Sequence, residues 1–90
     1  MKVTLIGSGG VATSIAATLA RHDAASLCGI YSRQLTHAET LRDRFALACP
    51  ITDSLQQIPA ADIYIIAVSD HAIKEVATAL PPLDGLVVHT

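Results

Sequence analysis

A short β-rich run, Lys2-Val3-Thr4-Leu5-Ile6, empties into Gly7-Ser8-Gly9-Gly10-Val11-Ala12, and an alanine-rich helical stretch follows at once. No other stretch limits the possible folds as tightly. Gly7, Gly9 and Ala12 have the G-x-G-x-x-A spacing of a strand-to-helix turn that accepts a dinucleotide pyrophosphate. Gly7 lets the chain turn sharply as it leaves the strand. Gly9 has no Cβ, so a phosphate can approach the backbone. Ala12 is small enough for the helix to lie tight on the strand. Gly10 adds backbone freedom at the helix start. Free N–H groups of the first helical turn, at the positive end of the helix dipole, would face the phosphates. The competing reading is a tight β–α turn that holds no ligand.

The rest of the chain repeats this strand–helix alternation. A helix is expected from Gly10 to Arg21, with Val11, Ile15 and Leu19 spaced by four beside a small-residue stripe, Ala12, Ala16 and Ala20, that would face a sheet. His22 and Asp23 would end it, with His22 a favourable charge at the helix C-terminus. A second strand spans Ser26 to Tyr31. A second helix follows, opened by a Thr36-x-x-Glu39 capping box, with Leu35, Ala38, Leu41 and Phe45 on one side and Glu39, Arg42, Asp43 and Arg44 solvated. Ala48–Ile51 forms a weak third strand, which Pro50 assigns to an edge. Asp53 or Ser54 would cap a helical turn through Gln57, and Pro59 would end it. Asp62–Val68 is apolar on both faces, as a central parallel strand covered by helices should be. Ser69 or Asp70 would cap a third helix built on Ile73, Val76, Ala77 and Leu80, stopped by Pro81-Pro82. Gly85–His89 is the fifth strand.

This order predicts an α/β fold: a Rossmann-like doubly wound parallel sheet, strand order 3-2-1-4-5, in three αβα layers. The topological switch point lies between the first and fourth strands. A ligand should therefore cross the carboxyl ends of the strands, against Gly7–Ala12, Ser32–Arg33 and Ala67–Asp70.

The end of the second strand selects between cofactors. An acid there would accept hydrogen bonds from an adenosine ribose and favour NAD. No Asp or Glu occurs between Asp23 and Glu39; Ser32 and Arg33 stand there instead. A hydroxyl donor beside a guanidinium suits a ribose 2′-phosphate, so NADP is the expected cofactor. The alternative is that Arg33 is a solvated loop charge.

At 90 residues the chain is one small domain, which buries about two-thirds of its unfolded surface. Apolar residues make up 51% of it but the aromatics are only Tyr31, Phe45 and Tyr64, so the core must be Ala, Ile, Leu and Val. A net charge of −2 leaves no basic footprint for nucleic acid. The longest apolar run, Ile63–Val68, is too short to cross a membrane, and no signal peptide is visible, so a cytoplasmic location is expected. Cys28 and Cys49 are too few for a metal site and read as buried small hydrophobes. There is no hydrolase elbow and no P-loop. His71 reads as a first-turn helix residue, His37 as solvated and Asp70 as a helix cap. His89 reads as a strand end, with contact to cofactor or substrate as the less favoured alternative.

Together, Gly7-Ser8-Gly9-Gly10-Val11-Ala12, Tyr31-Ser32-Arg33 and Ala67-Val68-Ser69-Asp70 resemble the N-terminal NADP domain of the pyrroline-5-carboxylate reductase and ketopantoate reductase group. The resemblance covers the whole chain, through motifs shared across that superfamily. It implies that the glycine turn binds pyrophosphate and that Ser32 and Arg33 hold the 2′-phosphate. Ala67, Val68 and Ser69 would line the path of the nicotinamide ribose, and His89-Thr90 would begin a loop beneath the nicotinamide. It implies further that a 6-phosphogluconate-dehydrogenase-like helical domain follows, supplies the pocket for a small carbonyl or imine substrate, and often forms a homodimer. The stop at Thr90 reads as a fragment lacking that domain, expected to bind cofactor weakly and to catalyse nothing alone. Two other functions remain open: a nucleotide-sensing regulatory module and a methyltransferase-like nucleotide binder, both of which usually keep an acid after the second strand.

Overall fold

Five short strands lie parallel in one sheet, ordered 3-2-1-4-5, in a computed structural model that describes residues 1–21 and 26–89 and leaves the side chains of Asp70 and His71 aside. They are β1 (Lys2–Ile6), β2 (Ser26–Tyr31), β3 (Ile51–Thr52), β4 (Ile63–Ile66) and β5 (Leu86–His89). The helices are α1 (Gly10–Leu19), α2 (Leu35–Arg44) and α3 (Asp70–Ala79), with a 3-10 turn at Leu55–Gln57. The expected class and strand order hold. The readings of His22, Asp23, Thr90 and of the Asp70 and His71 side chains lie outside the described residues.

Successive side chains of a strand point to opposite faces, and the sheet accordingly divides two cores. On one face Leu5, Ile30 and Ala67 pack with Ala12 and Ala16 of α1 and with Ala38 and Leu41 of α2. On the other, Ile6, Tyr31, Tyr64 and Ile66 pack with Val76 of α3, backed by Leu55 and Leu80. These are the three layers. The small-residue stripe of α1 does face the sheet at Ala12 and Ala16, while Ala20 and Val11 are exposed. In α3, Val76 is buried and Ala77 is exposed.

Several boundaries move, each for a local reason. The first helix ends at Leu19 rather than Arg21, and Ala20 closes it through a backbone bond to Ala16 O. The capping box does not form: Thr36 lies inside α2, its carbonyl accepts the Thr40 hydroxyl, and the N-cap position is Gln34. Ser32 sets that helix start instead, because its Oγ accepts the Gln34 N–H at 3.3 Å and curls the chain two residues earlier. The third strand is Ile51–Thr52, not Ala48–Ile51. Pro50 has no N–H to give the ladder and contributes only its carbonyl, which accepts from Ile30 N. Ser54 and Ser69, at the N-cap positions of the turn at Leu55 and of α3, make no side-chain cap bond. Ser54 N donates instead to Thr52 Oγ1, which forms a tight turn just ahead of Leu55. The regular part of the fourth strand stops at Ile66, because Ala67 N makes the last ladder bond, to Ile6 O, before the chain peels away. The fifth begins at Leu86, not Gly85.

Cys49 is buried, but Cys28 is only half-buried. Cys28 is the extra residue of a bulge, between the pairs Val3–Leu27 and Thr4–Gly29. Burial, with Cys28 adding to it and Arg42 opposing, pushes the Cys49 thiol above its ordinary titration range. Leu86, Val87 and Val88 of β5 are all exposed.

Candidate functional site

The chemistry-bearing ends of β1, β2 and β4 meet at one edge of the sheet. As β1 ends, Gly7 takes φ +128° and donates its N–H to Tyr31 O at 2.8 Å, tying the turn to the end of β2. A Cβ at Gly7 would overlap the Ala67 carbonyl oxygen. Only glycine fits there, on both conformational and steric grounds. Gly9 is the N-cap of α1, and a Cβ on it would meet nothing within 4 Å, so the outer side of the turn is open. No side chain caps α1 and its first turn carries no acid, which leaves its leading N–H groups available to an anion.

A cleft of about 620 Å³ runs across these strand ends. Gly7, Ser8 and Gly9 form one wall, Ser32 and Arg33 a second, and Ala67, Val68 and Ser69 a third. Eight of the eleven residues expected at a cofactor site therefore surround one cavity. The other three do not line it. Ala12 is fully buried against the sheet, where it lets α1 sit close, and Gly10 and Val11 are exposed at the helix start. The floor extends between Leu55 and the α3 residues Ala72, Glu75, Val76 and Ala79. A second, shallower groove of about 400 Å³ opens between α1 and α2, lined by Thr13, His37, Thr40 and Arg44 and sharing Ser8 and Gly9 with the first.

The polar contacts are specific. Ser8 Oγ and Ser32 Oγ lie 2.9 Å apart. Ser32 is 4% exposed, whereas Arg33 beside it is exposed and in no ion pair among the described residues. Glu75, on α3, is a carboxylate that also lines the cleft. His37 is exposed, as its reading as a solvated residue expects, and it also lines both cavities, four residues beyond Arg33. His89 ends β5, is exposed and lines neither cavity. Among the described residues, no three His, Cys, Asp or Glu side chains gather into a possible metal site, and no helix is long and apolar enough to cross a membrane.

A family model described as NADP oxidoreductase, coenzyme F420-dependent, matches residues 2–88. No curated protein matches the chain. Among solved structures, a Bacteroides fragilis protein described as an NADP oxidoreductase is similar at 28% identity and a TM-score of 0.84, covering 99% of this chain and 35% of that one. A conserved Sinorhizobium meliloti protein has 28% identity and a TM-score of 0.78, covering 99% of this chain and 32% of its own. The myo-inositol dehydrogenase of Lactobacillus casei, solved with NAD(H) and myo-inositol, has 19% identity and a TM-score of 0.82 over 99% of this chain and 27% of its own, a likeness of fold. The chain thus spans between about a quarter and about a third of the length of these structures.

Proposed function

Because the chain belongs to the NADP oxidoreductase, coenzyme F420-dependent, family, we propose that its cleft binds NADPH for hydride transfer to a small carbonyl or imine substrate. The observation that carries the cofactor reading is Arg33, exposed beside Ser32 at the end of β2 and lining the cleft, in a stretch with no Asp or Glu between Asp23 and Glu39. The residues present fit that cofactor. The open side of Gly9 and the uncapped first turn of α1 suit a pyrophosphate. The Arg33 guanidinium, in no ion pair among the described residues, can grip the 2′-phosphate through two charge-assisted bonds. Ala67, Val68 and Ser69 offer a small-residue path toward the end of β4 for the nicotinamide ribose.

When bound, the reduced nicotinamide supplies the hydride. The chain's own share is to fix the two phosphate-bearing ends of the cofactor, so that the reactive ring is presented at one place. On this reading the substrate pocket, and any pairing of subunits, belong to residues beyond this domain.

The test is Arg33→Ala, titrated with NADPH and with NADH. A charge-assisted bond contributes about 1.5–3 kcal/mol, so NADPH affinity should fall at least tenfold while NADH affinity stays nearly constant. An unchanged preference would remove Arg33 from the 2′-phosphate site.

A further inference from the structure

From an unpartnered phenol in the core beneath the cleft we infer that Tyr31 hydrogen-bonds the adenine ring of the cofactor through its hydroxyl, and so fixes how that ring lies between the sheet and α3. This rests on the cofactor reading above.

Tyr31 and Tyr64 share one core cluster with Ile6, Ile66 and Val76, and they are only 8% and 2% exposed. A phenol taken out of water needs a hydrogen-bond partner. Tyr64 has one, because its Oη accepts the Ala61 N–H at 2.9 Å. Tyr31 Oη has none among the described residues. Yet no buried side-chain nitrogen or oxygen goes without a partner among those residues. The Tyr31 hydroxyl is therefore the part of a buried side chain that still meets solvent. Since Tyr31 lines the cleft, it is to the cleft that the hydroxyl is offered.

The surroundings of that hydroxyl select the ligand group. Leu55, Val68 and Val76 pack in the same cluster as Tyr31, and all three line the cleft with it. Ala72 and Ala79 lie four residues before Val76 and three after it, so they share its face of α3, and both line the cleft. Their side chains are single methyl groups, which leave room for a flat ring. A phosphate against these apolar walls would lose its hydration without recovering it. An adenine suits them: its faces are apolar, and its rim carries ring nitrogens that accept and an amine that donates. A phenol can serve either kind of group. Burial of the Tyr31 ring also holds the hydroxyl in place before a ligand arrives, so little side-chain freedom is lost on binding.

The experiment titrates the wild-type chain and Tyr31→Phe with adenosine 2′,5′-bisphosphate, which carries the base, and with inorganic pyrophosphate, which does not. Phe keeps the ring and its packing and removes only the hydroxyl. Melting followed by circular dichroism should be unchanged, because the hydroxyl has no protein partner to lose. Bisphosphate affinity should fall by about three- to tenfold, the range of one uncharged hydrogen bond, while pyrophosphate affinity stays constant. The chain has two tyrosines and no tryptophan. Tyrosine fluorescence should therefore change when the wild type takes up the bisphosphate, and change much less in Tyr31→Phe. Equal losses for both probes, with or without a lower melting temperature, would overturn the assignment and make Tyr31 a packing residue. So would a silent Tyr31→Phe in a chain whose wild type prefers the bisphosphate to adenosine 5′-monophosphate, and that result leaves the cofactor reading standing. A wild type that does not distinguish those two nucleotides defeats the cofactor reading, and this inference with it.

Discussion

At Gly7 the backbone stands at φ +128°, and a Cβ would press on the Ala67 carbonyl. Gly7→Ala combines a disfavoured conformation with a backbone clash, so it is expected to cost at least about 2 kcal/mol. For a chain of this length that lowers the melting temperature by on the order of 10 °C, measurable by circular dichroism. Gly9→Ala is the contrast, because open space surrounds that position and its φ is −79°. It should melt almost as the wild type does while binding NADPH less well. A Gly7→Ala variant that melts unchanged would show that the turn yields easily. The two glycines of the motif are thus needed for different reasons. Their spacing is legible in the sequence, but their division of labour is not, since it depends on the end of β4 approaching Gly7 across 60 positions of chain.

Among the elements, α1 packs on the sheet through side chains with almost no volume. Ala12 and Ala16 are fully buried, against Leu5 and Ile30. Ala16→Leu would push three extra carbons into a packed layer, and overpacking of this kind costs about 1–3 kcal/mol. A urea titration should show a lower midpoint for Ala16→Leu and little change for Ala20→Leu, which lies on the exposed end of the same stripe. A midpoint equal for both would mean that α1 is not held by close packing. The helices and strands could be found from apolar periodicity and glycine and proline punctuation, because those signals are local. Their ends were less legible. Thr36-x-x-Glu39 has the composition of a capping box, yet the Ser32 hydroxyl starts the helix earlier. Pro50 marks the sheet edge correctly but also delays the third strand until Ile51.

Across the whole molecule, stability is concentrated toward the middle of the sheet. Leu5, on β1 between two neighbouring strands, is fully buried, whereas Leu86 on the outer strand β5 is 62% exposed. Leu5→Ala should cost about 2–5 kcal/mol and Leu86→Ser less than about 0.5 kcal/mol, a difference that paired denaturant titrations would resolve. Comparable losses would mean that β5 takes a larger part in the core than its exposure indicates. By itself the sequence determined the α/β class, the parallel strand order and the strand ends around which the cleft forms. These follow from the alternation of elements and from the few chiral ways of connecting them. Only the tertiary structure decided which side chains face that cleft. It removed Gly10, Val11 and Ala12 from the lining, brought His37 and Glu75 to it, and turned Ser32 inward against Ser8. The reason is physical: strand order is a property of pattern along the chain, while the aim of a hydroxyl depends on partners that only folding brings within 3 Å.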